Sequence, residues 1–60
     1  MNKPINLGGV QVIVFISDWR VETYEDASIV DVAYCSDFNS AQAKAIRSRD
    51  SYVNACIRYI

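Results

Sequence analysis

Apolar and polar positions alternate through the first half of the chain, and the period lengthens in the second. Val10 to Ile16 (VQVIVFI) carries the strongest β pattern, since every residue but Gln11 is β-branched or aromatic. One face of this strand holds Val10, Val12, Val14 and Ile16; the other holds Gln11, Ile13 and Phe15. Both faces are largely apolar, so the strand is expected to be covered on both. Ser17-Asp18 is a turn signal. Trp19 to Tyr24 (WRVETY) alternates next, with Trp19, Val21 and Thr23 on one side and Arg20, Glu22 and Tyr24 on the other. After the polar break at Glu25-Asp26, Ser28 to Cys35 (SIVDVAYC) forms a third pattern. Val30, Val32 and Tyr34 face one way, and Ile29, Asp31, Ala33 and Cys35 the other. The short connections predict antiparallel hairpins.

The period then changes. Asp37 is a good N-cap ahead of an alanine-containing run. At 100° per residue, Phe38, Ala41, Ala45, Tyr52, Ala55, Cys56 and Tyr59 cluster, and Ile46, Val53, Ile57 and Ile60 widen the stripe. Lys44, Arg47, Asp50, Ser51, Asn54 and Arg58 fall opposite. No Gly or Pro interrupts, so an amphipathic helix over residues 38–60 is the leading expectation. The alternative stops the helix near Ser48 and starts a final strand at 52–60, where Val53, Ala55, Ile57 and Tyr59 alternate. The predicted fold is α+β: a three-stranded antiparallel sheet packed on one long C-terminal helix (βββα), or ββ(β)αβ if the last segment is a strand. The face the helix takes is open at this point. The uncovered face is expected to expose Ile13 and Phe15, with Ile29 and Ala33 beside them.

Length bounds the rest. Sixty residues make one domain, because domains rarely run below about 50 residues. Met1 to Gly9 reads as a lead-in segment, with the sheet at 10–35 and the helix at 38–60. A chain this short buries only about 60% of its unfolded surface, so help from a second chain is expected. The longest apolar run, Val12 to Ile16, is far short of the roughly 20 residues that span a bilayer. No apolar core of a secretory signal precedes it. The expected setting is therefore soluble and cytoplasmic, with no membrane partner.

The chain has two cysteines and no histidine. Cys35 and Cys56 are read as buried free thiols, since they form no C-x-x-C pair and are too few for a disulfide scaffold. Without histidine there is no triad and no obvious general base. No enzyme, cofactor or metal site is expected. Charge, in contrast, is uneven. Residues 18–37 hold Asp18, Glu22, Glu25, Asp26, Asp31 and Asp37 against Arg20 alone. Residues 38–60 hold Lys44, Arg47, Arg49 and Arg58 against Asp50. Three uses follow. Trp19, Glu22, Tyr24, Glu25, Asp26 and Asp31 are candidates for binding a larger protein, by aromatic anchors and acidic contacts. Ile13 and Phe15 are candidates for self-association as a homodimer. Lys44, Arg47, Arg49 and Arg58 are candidates for nucleic acid, an alternative disfavoured by a pI near 5.0.

In overall pattern the chain resembles small phage-encoded host-takeover and anti-CRISPR inhibitor proteins. The features are the strands VQVIVFI and SIVDVAYC, the acidic run between them, and the helix start DFNSAQAKAI. The resemblance implies a non-enzymatic protein that binds and blocks a larger, nucleic-acid-handling partner in the host cytoplasm. It assigns no residue a role, because that group shares no common motif. A structural homo-oligomer subunit is the remaining alternative.

Overall fold

The computed structural model describes residues 9–60, so all of the lead-in except Gly9 lies outside the described residues. Five elements follow: β1 (Val10–Phe15), β2 (Arg20–Glu25), β3 (Ser28–Tyr34), α1 (Phe38–Asp50) and β4 (Ala55–Tyr59). The fold is α+β, with one helix on a four-stranded mixed sheet of order β3-β2-β1-β4.

The three predicted strands form antiparallel hairpins, with Val12 opposite Thr23 and Val21 opposite Ala33. In the β2–β3 turn Asp26 takes a φ of 56° while Ala27 stays negative. Positive φ at the first central residue alone is the II′ pattern, which matches strand twist.

The continuous helix over 38–60 does not form. Asp37 caps α1 as expected, its Oδ1 accepting from the Ser40 N–H at 2.8 Å. The helix then stops at Asp50. Its last turn tightens into bonds from Ser51 N–H to Ser48 O at 3.2 Å and from Tyr52 N–H to Arg49 O at 3.1 Å. The Ser51 hydroxyl donates to the Arg47 carbonyl at 3.2 Å. A serine thus satisfies the end of the helix where glycine is usual. The chain returns as β4, which pairs parallel with β1, Val12 opposite Ile57. The alternative with a final strand is the closer description, and the sheet is mixed rather than purely antiparallel.

The helix takes the Val10/Val12/Val14 face. Val10, Val12, Val14, Val21, Ala41 and Ala45 are fully buried. Trp19, Cys35 and Ile57 pack against this core from its edges. Alanines at 41 and 45 let the helix backbone approach the sheet closely, so valine suffices to fill the layer. The helix packs chiefly on β1 and also touches β2 and β4. β3 extends beyond its cover, and only Ala33 of that strand is better than exposed.

Two strand expectations change in consequence. β1 is covered by an element of the described chain on one face only. In β3, the pairing shifts between Thr23 and Tyr24, so that Thr23 faces Asp31 while Tyr24 faces Ile29. Val30 is the extra residue of a bulge. The bulge moves Ile29 onto the same face as Val32 and Tyr34, against the simple alternation.

Candidate interaction surface

The uncovered sheet face is built by cross-strand pairing. Opposite residues share a face, so Tyr24 lies beside Gln11, Glu22 beside Ile13, and Arg20 beside Phe15. On the β3 side Ile29, Val32 and Tyr34 continue these rows. On the β4 side Cys56 and Arg58 complete them; Cys56 is exposed there and Cys35 is only half-buried, so the two free thiols are not the buried pair expected from the sequence.

The centre of this face is a fixed network. The Arg20 guanidinium lies 4.1 Å above the Phe15 ring. It pairs with Asp18 at 3.2 Å and approaches Glu22 Oε2 with its Nε at 2.9 Å. That Nε–H is out of line for a hydrogen bond, so the last contact is electrostatic. The Tyr24 hydroxyl donates to Glu22 Oε1 at 2.6 Å. This bond, more than desolvation, raises the Tyr24 pKa above its ordinary value, because ionisation would set two anions side by side. Arg58 donates to Gln11 Oε1 at 3.2 Å.

Around the network the surface is apolar. Ile13 and Phe15 are half-buried. Ile29 and Val32 are each more than 40% exposed, and Tyr34 is 77% exposed. Large apolar side chains gathered on a sheet face that no described element covers mark interfaces.

The other face holds a small polar cleft of about 160 Å³ between the sheet and the end of α1. Thr23, Asp31, Lys44, Ser48, Ser51 and Tyr52 line it. Lys44 Nζ pairs with Asp31 Oδ2 at 3.1 Å. Burial first, then the charge of Glu25 and a hydrogen bond to it, push the Tyr52 phenol up. The Thr23 hydroxyl is buried without a hydrogen-bond partner. The cleft opens to solvent and has room for water beside that hydroxyl. Its one amine is tied to a carboxylate. Among the described residues no cluster of His, Cys, Asp or Glu has the make-up of a metal site.

The candidate residues separate on this framework. Ile13, Phe15, Glu22 and Tyr24 share the uncovered face, whereas Glu25 and Asp31 belong to the helix side. Trp19, at φ 57° in the β1–β2 turn, packs edge-on to Phe38 at 5.8 Å and joins the rim of the core. Asp26 occupies the tip of the β2–β3 hairpin and is exposed. The acidic run is thus divided between two faces and largely engaged within the chain. The bases do not gather either. Lys44 is paired with Asp31, Arg49 Nε meets Asp50 at 3.3 Å, and Arg58 lies on the opposite side of the sheet. Alternation alone puts Val32 and Tyr34 on one face; Ile29 does lie on the uncovered face as expected, but it is the bulge that brings it beside Val32 and Tyr34, whereas Ala33, expected with it, lies opposite Val21 on the helix side. Comparison with known protein families, with curated protein sequences and with solved structures finds no match.

Proposed function

We propose that this chain is a non-enzymatic protein–protein interaction module that covers, and thereby blocks, part of a larger protein. Its docking surface is the uncovered sheet face on the β2–β3 side. The observation that carries the reading is the exposure of Ile29, Val32 and Tyr34 on a strand that the helix leaves bare. A rigid sheet presents these side chains with little ordering left to lose on binding. The charges at the centre are already paired among themselves, Arg20 lying between the Asp18 and Glu22 carboxylates. A charged partner surface would therefore gain little there and lose hydration. The partner that fits offers an apolar patch of its own, with the contact centred on Tyr34 and Val32. Asp26 at the hairpin tip supplies the rim contact left from the acidic run. The resemblance to small phage inhibitors points the same way, and the chemistry agrees: the sequence has no histidine.

The test is affinity capture from bacterial lysate with four tagged forms: the parent chain, Val32→Asp, Tyr34→Ala, and Arg47→Glu on the exposed side of α1. Nuclease is added to half of each sample. A stoichiometric protein held by the parent and by Arg47→Glu, and lost with Val32→Asp, supports the reading. Capture indifferent to both β3 variants, or abolished by nuclease, overturns it.

A further inference from the structure

Among the described residues β4 ends the sheet on one side, and no strand pairs with its outer edge. Beyond the ladder with β1, three bonds at its ends fix its inner edge. Val10 N–H donates to Asn54 O at 3.3 Å, Ile60 N–H to Val14 O at 2.9 Å, and Ile16 N–H to Ile60 O at 2.9 Å. A parallel ladder uses alternate residues of each strand, so the even-numbered positions of β4 serve β1. Ala55, Ile57 and Tyr59 consequently turn their N–H and C=O groups outward, with no strand partner among the described residues.

We propose that this edge pairs with β4 of a second copy, antiparallel about a two-fold axis at Ile57. Ile57 then lies opposite Ile57 of the second copy, Ala55 opposite Tyr59, and Cys56 opposite Arg58. Each outward residue exchanges both its N–H and its C=O with the residue facing it. The two four-stranded sheets become one of eight strands.

Four observations favour a second copy. The outward groups are spaced symmetrically about Ile57, so the edge is complementary to itself, as an isologous interface requires. No like charges sit directly opposite in this register, because Arg58 faces a thiol and meets the second copy's Arg58 only on the diagonal. The opposite edge is blunted by the bulge at Val30 and by Asp31, whose side chain turns to the helix side to meet Lys44. Bulges and inward-turned charges are the usual guards of an edge. β4 has no bulge and no proline, and Arg58 is its single charge. Finally, an apolar strip borders it. Phe38 and Tyr59, ring centroids 6.1 Å apart, are each 43% exposed. The two-fold brings this strip towards its counterpart. An interface made by five-residue strands falls below the roughly 1,200 Å² of a standard stable complex. The expected state is a concentration-dependent monomer–dimer equilibrium.

Sedimentation equilibrium over a concentration series tests this on the full chain, with Ala55→Pro and Val32→Asp beside the parent. Ala55 opens β4 and its N–H points outward, a position where proline spares the strand's own ladder. The parent is expected to dimerise, and Ala55→Pro to weaken the dimer at least ten-fold. Val32→Asp, on the face proposed for the larger partner, is expected to leave it unchanged. That control separates failure of this inference from failure of the docking proposal. A second probe holds even if Ala55→Pro fails to fold. Arg58→Cys, in a Cys35→Ala background, places a thiol opposite Cys56 of the second copy. The Cα spacing of such a non-hydrogen-bonded pair, about 4.5 Å, suits a disulfide. Mild oxidation is expected to link the dimer, whereas Cys56 alone sits out of register and stays unlinked. A monomer at every concentration, a dimer abolished by Val32→Asp, or no cross-link from Arg58→Cys overturns the inference.

Discussion

Thr23→Val is expected to stabilise the fold by about 1 kcal/mol. Thr23 lies in β2 beneath α1, 2% exposed, and its hydroxyl has no hydrogen-bond partner. A buried polar group left unsatisfied costs about 1–3 kcal/mol. Valine removes that cost and keeps the branched shape and strand preference of threonine. Its added methyl joins a layer already made of Val10, Val12, Val14 and Val21. The lower end of the range applies, because the adjoining cleft admits water close to the hydroxyl. In a chain of this size a gain of about 1 kcal/mol raises Tm by roughly 4–8 °C. Urea and thermal unfolding, followed by far-UV circular dichroism at one low protein concentration, measure the difference. Fixing the concentration matters because self-association would shift Tm by mass action. Thr23→Ser, which keeps the hydroxyl and loses the methyl, is expected to destabilise. A Thr23→Val variant less stable than the parent would refute the reasoning. It would mean that the hydroxyl holds a water in the cleft firmly enough to outweigh the gain.

Three further outcomes are expected. Val14→Ala removes buried methyl groups at the centre of the core and should cost about 2 kcal/mol in urea unfolding; a change under about 0.5 kcal/mol would show a core that collapses freely around the gap. Asp26→Gly relieves a positive φ in the II′ turn and should raise stability by about 0.5 kcal/mol, net of the entropy glycine adds to the unfolded chain; a loss would place the Asp26 side chain in a contact that holds the turn. The Asp37 carboxyl is lowered from 3.8 by its bond to Ser40 N–H, so its contribution is full above that unfolded value and is lost as pH falls through the lower folded one. Asp37→Asn caps equally well and should flatten that part of the acid titration, as measured by helix circular dichroism; an unchanged acid limb would exclude the cap as its source.

The hairpins were legible because alternation in VQVIVF, RVETYE and SIVDVAY coincides with short polar breaks. The helix start was legible because Asp37 is a capping residue followed by good helix formers. The helix end was not. Tyr52, Ala55, Cys56 and Tyr59 are spaced three or four apart and so fit a helical stripe, while Ala55, Ile57 and Tyr59 fit a strand. What separates the two is a backbone stop at Ser51 made by a hydroxyl, without Gly or Pro. The parallel partner for β1 also lies far along the chain, beyond any local pattern. The site was legible in part: Ile13 and Phe15 follow from alternation, but Val32 and Ile29 share a face only through the bulge. The acidic run looked like a patch because linear charge density ignores facing. Pairing with Arg20 and Lys44, and division between two faces, undo it.

The parallel strand has a kinetic consequence. VQVIVF is a six-residue segment of high β-propensity without charge, proline or glycine, which is the composition of a cross-β spine. In the finished sheet it lies between β2 and β4 and offers no edge. The hairpin side is built from local contacts, but β4 must close a contact such as Arg58 to Gln11, 47 positions apart, which is slower to form. Until it does, the most aggregation-prone strand of the chain is an open template. β4 is therefore a gatekeeper as well as a structural strand. Weakening its docking, more than loosening the hairpins, would turn refolding at high concentration towards fibrils.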